Sequence, residues 1–358
     1  MRIIQVGTSV SYGDAVGNDI LAIFHVLQEF GYDTDVYAEH IDQRVKDDVK
    51  PIKQIPELND EDIILYHVSI ATPLNYELEK WNGKKVIIYH NITPSHFFSD
   101  INPPLADACA QGIREMEHLA SVADYGLADS EFNKQNMIDM GFTCPIDVLP
   151  ILVPFDDYKK TPDIDTIKKY ENDGYTNLLF VGRIAPNKCH EDVIATYYQY
   201  KKYCNPKSRL FFVGNDGGME IYAQRLQEYI QKLGLTKDDV IFTGHITFAQ
   251  ILAYYHLADA FVCMSEHEGF CVPLLEAMCF EKPILAYDSC AVPWTLGGSG
   301  LLTDTKDALV NAKLLERLLT DQELKETVLE NEKERLDFFS HDRIKMQLKD
   351  FLERIIKE

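Results

Sequence analysis

The chain has 358 residues, a formal net charge of −22 at pH 7, and 46% hydrophobic and 11% aromatic residues. At roughly 100 to 200 residues per domain, this length predicts two domains, each able to bury a core. The apolar and aromatic content is typical of a globular protein and excludes a largely disordered one. The acidic excess argues against nucleic acid or an anionic membrane surface as the main partner, because both attract basic proteins.

Targeting and metal-binding patterns are absent from the sequence. No apolar run approaches the roughly 20 residues that span a bilayer, and the chain opens directly into an apolar strand, so we expect a cytoplasmic protein. The eight cysteines show no CxxC pair and no zinc-type spacing, which predicts reduced, mostly buried thiols. Two Asp-x-Asp strings, at 33–35 and 163–165, are expected by chance among 57 acidic residues. We therefore expect no metal and no other cofactor.

Short apolar runs alternate with amphipathic stretches along the chain. The first series predicts strands in MRIIQV, TDVYA, DIILYHV, KKVIIYH and YGLADS, with a helix over about 18–30. The pattern restarts with TNLLFVG, SRLFFVG, DVIFTG, ADAFVCM and KPILAYD, and helices are predicted over about 191–203 and 219–233. This alternation is typical of βαβ units around a parallel sheet. The restart predicts a second sheet.

A charged, proline-containing segment separates the two series. It predicts an N-terminal Rossmann-like domain over 1–155, a linker over 156–172 and a C-terminal Rossmann-like domain over 173–339. The last residues, about 340–358, carry apolar side chains at helical spacing. They indicate a surface helix that packs one stripe on a domain.

The most informative segment is SEHEGFCVPLLEAMCF, in which seven residues separate Glu268 from Glu276. Gly269 permits a tight turn and Pro273 suits the first helical position, so a helix is predicted to begin just after residues 270–272 and to hold Glu276 in its first turn. The free N–H groups and the positive end of such a helix form an anion site. Taken alone, the paired glutamates also suit hydrolysis of a glycosidic bond or simple helix capping.

The segment EGFCVPLLE resembles the E-x7-E motif of the retaining GT-B glycosyltransferases, known as family 4 or group 1 glycosyltransferases. The resemblance covers most of the chain. Five further blocks of that family precede this motif, in the order VIIYHNITP, ADSEFNKQNM, LLFVGRIAPNK, LFFVGNDGG and VIFTGHI. It implies an α/β GT-B fold, with two Rossmann-like domains that face each other across a cleft. The first domain would bind the acceptor and the second the nucleotide sugar, while the final helix would pack back on the first domain.

The resemblance also implies roles for individual residues. Arg183 and Lys188 would neutralise the donor diphosphate, a role that suits cations because negative charge grows on this leaving group. Glu268 would bind hydroxyls of the transferred sugar, His90 would contact that sugar near the reacting carbon, and Glu276 would bind the ribose. The other donor-site positions lie around the phosphate, at Gly182, Gly214, Gly269, Phe270, Cys271 and Val272. The loop after the first strand would approach the phosphate and the acceptor with Gly13, Asp14 and Gly17. Asn91, beside His90, would belong to the same part of the site.

Some positions have an alternative interpretation. Cys271 stands where the family commonly has glycine, and Trp294 stands where many members have glutamate. Trp294 would pack on the base or sugar, or else fill a core. Asp14 would bind the acceptor, or else serve turn chemistry.

The expected activity is retaining transfer of a hexose-type sugar from a donor of the GDP-mannose or UDP-hexose type. The acceptor would be a hydroxyl of a glycan or of a lipid-linked molecule, in polysaccharide or glycoconjugate biosynthesis, and a lipid-linked acceptor would bring the chain to a membrane periphery. The alternatives are a nucleotide-sugar hydrolase or epimerase on the same fold, or a nucleotide-sugar-binding subunit without activity. The sequence does not specify the base, the sugar, the acceptor, the oligomeric state, or front-face against double-displacement chemistry.

Overall fold

The computed structural model describes residues 1–11 and 13–357, which form two compact units. The first unit comprises the described residues of Met1–His96, Pro104–Pro154 and the chain from Phe339 onward. The second unit comprises Phe97–Pro103 and Phe155–Phe338.

The first unit is built on a parallel sheet with strand order β3-β2-β1-β4-β5-β6-β7. The strands are β1 (Ile3–Val10), β2 (Thr34–Ile41), β3 (Val49–Pro51), β4 (Ile63–Val68), β5 (Lys84–Tyr89), β6 (Tyr125–Ala128) and β7 (Ile146–Val148). The helices are α1 (Ala15–Glu29), α2 (Leu74–Glu77), α3 (Pro103–Val122) and α4 (Glu131–Asp139). Short 3-10 helices cover Ile52–Gln54, Leu78–Lys80 and Ser95–Phe97. All six residues of β4 are buried, as is usual for a central parallel strand covered on both faces.

The second unit is built on a parallel sheet with strand order β10-β9-β8-β11-β12-β13. Its strands are β8 (Thr176–Val181), β9 (Ser208–Val213), β10 (Val240–Phe242), β11 (Ala260–Cys263), β12 (Ile284–Tyr287) and β13 (Leu301–Thr303). Its helices are α5 (Ile164–Tyr170), α6 (His190–Tyr203), α7 (Glu220–Lys232), α8 (Phe248–Leu257), α9 (Val272–Cys279), α10 (Val292–Leu296), α11 (Ala308–Thr320) and α12 (Gln322–Phe338). Two 3-10 helices, Phe155–Lys159 and Pro186–Lys188, complete it.

The final helix, α13 (His341–Lys357), packs on the core of the first unit. Its buried apolar side chains join those of α1 and of the central strands, and they are Ile344, Leu348, Phe351, Leu352 and Ile355. Lys84 Nζ donates to the backbone oxygen of Ile355 at 2.5 Å. This helix therefore adds a face to the core of the first unit, although it follows the whole second unit in the chain.

The two parallel sheets confirm the predicted α/β class and the restart of the βαβ pattern. The helices predicted over about 18–30, 191–203 and 219–233 are α1, α6 and α7, with bounds shifted by at most three residues. The segment 156–172, predicted as a linker, holds most of a 3-10 helix and all of α5 and clusters with the second unit. Within the described residues, no helix combines the length and apolar character needed to cross a membrane.

Candidate active site

Three neighbouring strands of the second sheet end in glycine. Gly182 follows β8, Gly214 follows β9, and Gly244 lies just after β10. The N–H of Gly182 donates to Val213 O at 2.9 Å, and a Cβ at Gly214 would lie 2.0 Å from Gly182 O. The backbone at Gly214 also has a φ of +154°, so only glycine fits there without strain. Gly244 forms a bridge to Gly214, and the sequence prediction missed it although the block VIFTG ends on it.

The loop after β8 carries Lys188 to the loop after β11. Asn187 is buried and donates from Nδ2 to His267 O at 3.0 Å, while its own backbone oxygen accepts from the N–H of Glu266 at 2.9 Å. Lys188 Nζ then donates to Glu268 Oε2 at 2.5 Å. Two residues predicted for the donor site are thus brought together across 80 positions of sequence.

The Lys188–Glu268 ion pair is largely shielded from solvent, with side-chain exposures of 23% and 7%. Burial alone would lower the pKa of the Lys188 ammonium, but the charge of Glu268 and its hydrogen bond to Lys188 outweigh it and place that pKa above its ordinary value. Lys188 therefore stays protonated at neutral pH and supplies a fixed positive charge in this loop.

Arg183 is exposed at the start of the same loop. The backbone N–H of Ile184 donates to Asn215 O at 2.8 Å, which ties this stretch to the loop after β9. The Arg183 guanidinium lies 6.0 Å from the centre of the Phe98 ring, within the reach of a cation–π contact.

Helix α9 begins at Val272, because Cys271 adopts a left-handed backbone conformation (φ 70°, ψ 63°) and acts as its N-cap residue. Pro273 is the second residue of α9, one position later than predicted but still in the first turn. Glu276 is the fifth residue of α9, so it lies in the second turn and not in the first as predicted. The backbone oxygen of Phe270 accepts from the Thr295 hydroxyl at 2.5 Å, which fixes the turn before the helix.

The thiol of Cys271 points inward and hydrogen bonds to that of Cys263 at the end of β11. Ligand atoms of these two cysteines and Glu268 lie within 4.8 Å of one another. The hydrogen bond from Cys271 lowers the pKa of the Cys263 thiol, and the same bond, with burial, raises the pKa of Cys271. The cysteine that replaces the usual glycine is therefore a buried side chain behind the turn.

The carboxylate of Glu276 accepts two hydrogen bonds from phenols. Tyr158 donates to Oε1 at 2.8 Å and Tyr255 donates to Oε2 at 2.5 Å. Burial raises the pKa of Glu276 above its ordinary value, and the two phenols oppose that rise. The sequence prediction missed both tyrosines, because nothing in the pattern links their positions to Glu276.

Trp294 lies on α10 and is half-buried in the second unit. Its ring centre is 6.0 Å from that of Phe270, and the Arg335 guanidinium lies 5.6 Å from the same ring. Arg335 also donates to the backbone oxygens of Trp294 and Thr295. These contacts fit the core-filling alternative for Trp294.

His90, in the first unit, is part of a buried chain of hydrogen bonds. His90 Nε2 lies 2.8 Å from His67 Nδ1, and His90 Nδ1 lies 3.0 Å from Asp129 Oδ2. His67 Nε2 is in turn 2.9 Å from Gln5 Oε1. Burial would lower the pKa of His90, but the Asp129 charge outweighs it and raises that pKa, whereas burial lowers the pKa of His67. Both ring nitrogens of His90 are engaged, so a ring contact to a ligand requires one of these bonds to break.

The loop before α1 is held by local hydrogen bonds. Asp14 is the N-cap residue of α1 and accepts from the N–H of Gly17 at 3.2 Å. The N–H of Gly13 donates to Asn18 Oδ1 at 3.1 Å. The cap explains Asp14 without a ligand, in agreement with the turn-chemistry alternative.

Asn91, beside His90, has a left-handed backbone with a φ of 74°. Its side chain donates to Asn133 Oδ1 at 2.7 Å, which ties it to α4.

Among the described residues, three groups bring potential metal ligands within 4.8 Å of one another. They are Asp19 with His67 and His90, Cys263 with Glu268 and Cys271, and Cys189 with Asp192 and Glu266. In each group at least one potential metal ligand already forms a hydrogen bond within the protein. His90 bonds to His67, Glu268 bonds to Lys188, and Asp192 bonds to Lys306.

The chain is similar to known glycosyltransferases in sequence and in fold. Residues 163–335 match the family model described as "Glycosyl transferases group 1". The chain is 31% identical over 99 residues to the serotype-specific mannosyltransferase WbdA of Escherichia coli, and 25% identical over 201 residues to O-antigen chain mannosyltransferase B of the same species. These matches cover 28% and 54% of this chain but only 12% and 51% of the two relatives.

In fold, the chain is similar to Anabaena HepE, whose crystal structure is a complex with UDP and glucose. The TM-score is 0.77 at 18% identity, over 99% of this chain and 100% of HepE. The resemblance to the GT-B glycosyltransferases of group 1 is thereby confirmed. Residues 163–335 thus match the glycosyl transferases group 1 family, and the two parallel sheets have the fold of the GT-B glycosyltransferases.

Proposed function

We propose that this chain is a retaining glycosyltransferase that moves a hexose-type sugar from a nucleoside diphosphate sugar to a hydroxyl of a glycan or lipid-linked acceptor. The observation that carries the proposal is the Lys188–Glu268 ion pair beside the first residues of α9, inside the segment that matches the family. The similarity to mannosyltransferases favours a mannosyl donor of the GDP-mannose type. The similarity in fold to HepE, crystallised with UDP and glucose, keeps UDP-hexose as the alternative donor.

The diphosphate of the donor would bind where positive charge is concentrated in this acidic chain. Lys188 stays protonated, Arg183 is exposed on the same loop, and the N–H groups at 270–272 lie at the start of α9. As the bond to the anomeric carbon breaks, negative charge grows on the leaving diphosphate, and these fixed positive groups stabilise it. The glycines at the ends of β8 and β9 let the backbone approach the phosphates closely.

Glu268 and Glu276 would bind the two sugars of the donor. Glu268 Oε2 accepts from Lys188, which leaves Oε1 to accept from hydroxyls of the transferred hexose. Glu276 would accept from the ribose hydroxyls. In this scheme no protein nucleophile is needed, since the acceptor hydroxyl attacks on the face that the diphosphate leaves and passes its proton to a diphosphate oxygen. The configuration at the anomeric carbon is then retained, and we propose that no divalent metal is required.

A thermal-shift panel of UDP, GDP, ADP and their sugars tests the proposal. A ligand that binds only the folded chain raises the unfolding free energy by about 2.7 kcal/mol at a concentration of 100 Kd. We expect one base to raise the melting temperature, both as diphosphate and as sugar donor. A flat response to the whole panel contradicts the proposal, and donor turnover without an acceptor indicates a hydrolase instead.

A further inference from the structure

Two phenols from different elements hold the Glu276 carboxylate, one on each oxygen. Tyr158 comes from the 3-10 helix Phe155–Lys159, and Tyr255 comes from α8. The pKa of each phenol is raised, first by burial and then by the Glu276 charge, so both stay protonated and donate. A carboxylate has about four acceptor positions, and the two phenols occupy one on each oxygen.

We propose that Tyr158 is a positioning residue for the nucleoside end of the donor, holding the Glu276 carboxylate so that each oxygen keeps one lone pair for a vicinal diol. The inference rests on the proposed function, because the diol in question is that of a ribose. It adds a residue outside the matched family segment, since Tyr158 precedes residue 163.

The surroundings of the two tyrosines differ, and they make Tyr158 the better position for a substitution that removes only the hydroxyl. Tyr255 is fully buried, and its ring stacks on that of Phe280 at 5.0 Å with an interplanar angle of 6°. Tyr158 is only partly buried, and its ring centre lies 5.9 Å from that of Phe248 and 6.2 Å from that of Phe280. These ring contacts do not need the hydroxyl. A phenylalanine at 158 therefore keeps the packing and removes one hydrogen bond to Glu276.

The charge on Glu276 is stabilised by hydrogen bonds. Burial raises the pKa of Glu276, and the hydrogen bonds from Tyr255 and Tyr158 lower it. Cys279 lies on the same helix, and burial and the Glu276 charge raise the pKa of its thiol to about 12, so it stays neutral. The charge of Lys159 lowers the pKa of Cys279 and so opposes that rise. Loss of the Tyr158 hydroxyl thus leaves a less solvated carboxylate, which takes up a proton at higher pH.

The test is calorimetric titration of UDP and of GDP into the wild-type chain, Tyr158→Phe, Glu276→Gln and the double variant, from pH 5 to pH 9. Tyr158→Phe loses one hydrogen bond to a charged group, and the partial loss of orientation predicts a roughly 5- to 20-fold higher Kd at pH 7. The acid limb of its Kd profile should move to higher pH. In the Glu276→Gln background, Tyr158→Phe should change neither the Kd nor the pH profile. Tyr203→Phe, at a tyrosine that is 55% exposed on α6, is the control that should behave as wild type.

The same titrations with the 2′-deoxynucleotides separate positioning from packing. Removing one hydroxyl of the diol should weaken binding to the wild-type chain more than binding to Tyr158→Phe. An unchanged Kd and pH profile for Tyr158→Phe overturns the inference, as does a loss of affinity that persists in the Glu276→Gln background. If the wild-type chain binds neither nucleotide at any pH, the proposed function fails, and this inference fails with it. Wild-type binding without an effect of Tyr158→Phe refutes the inference alone.

Discussion

Replacing Lys188 by methionine tests two roles of this lysine, its contribution to folding stability and its contribution to sugar transfer. Its ammonium lies 2.5 Å from Glu268 Oε2, and the Glu268 side chain is only 7% exposed. Lys188→Met leaves that carboxylate nearly buried without its cation. Breaking a buried ion pair costs about 3 to 5 kcal/mol, and the 23% exposure of Lys188 places this pair near the lower end, at roughly 3 kcal/mol.

The double variant Lys188→Met with Glu268→Gln removes the uncompensated charge. We expect its unfolding free energy to return to within about 1 kcal/mol of the wild-type value, because replacing both members of a buried pair is often close to neutral. Glycosyl transfer should stay at least roughly 100-fold below wild type in both variants, since the cation that stabilises the leaving diphosphate is missing in each.

Urea denaturation of the three proteins, followed by circular dichroism, gives the stabilities, and release of nucleoside diphosphate gives the activity. The matched control is Lys313→Met, which breaks the exposed pair of Lys313 with Glu316 and should leave activity unchanged and stability within about 1 kcal/mol. The reasoning is refuted if Lys188→Met transfers sugar at the wild-type rate. It is also refuted if the double variant is no more stable than Lys188→Met.

Three further predictions follow from single features. Burial raises the pKa of Glu332 to about 8 against an ordinary 4.5, so the free energy of unfolding falls as the pH rises between these two values. In urea denaturation, Glu332→Gln should be as stable as the wild-type chain near pH 4 and more stable by roughly 3 kcal/mol at pH 7. Gly214→Ala should destabilise the chain by more than about 3 kcal/mol because its Cβ would meet Gly182 O, whereas Gly234→Ala, with open space and a φ of +71°, should cost only about 1 kcal/mol; equal losses in thermal unfolding would contradict this. Excess EDTA should leave the rate of transfer unchanged, and a loss that Mg²⁺ or Mn²⁺ restores would overturn the metal-independent scheme.

Ten of the thirteen strands given above could be predicted from sequence because each is a short apolar run between turn signals. The strands β3, β7 and β13 were not predicted, since each has only three residues and forms no apolar run. The strand at TNLLFVG ends on Gly182, and the structure places β8 at Thr176–Val181. The order of the strands within each sheet is harder to predict, since it depends on which strands meet in space. The pairing of β8 with β9 and β11 joins residues about 30 and 80 positions apart, and no local pattern encodes that choice.

The candidate site was predictable where it depends on local chemistry. Pro273 predicts the start of α9 because its fixed φ and missing N–H suit the first turn. The partners of Glu276 were not predictable, since Tyr158 and Tyr255 reach it from 118 and 21 positions away. The His67–His90 contact was missed for the same reason, although both follow apolar runs on the paired strands β4 and β5. The position of Glu276 in the second turn of α9 depends on a single backbone conformation, that of Cys271.

Retaining sugar transfer from a nucleoside diphosphate donor can be observed directly in the product. The most direct measurement is a proton NMR time course with a donor that the thermal-shift panel selects, labelled with ¹³C at the anomeric carbon, in the presence of glycan or lipid-linked acceptors. We expect an acceptor-dependent product signal with the anomeric configuration of the donor, and no such signal from Lys188→Met. A product of inverted configuration, or free sugar released at the same rate without acceptor, would contradict it.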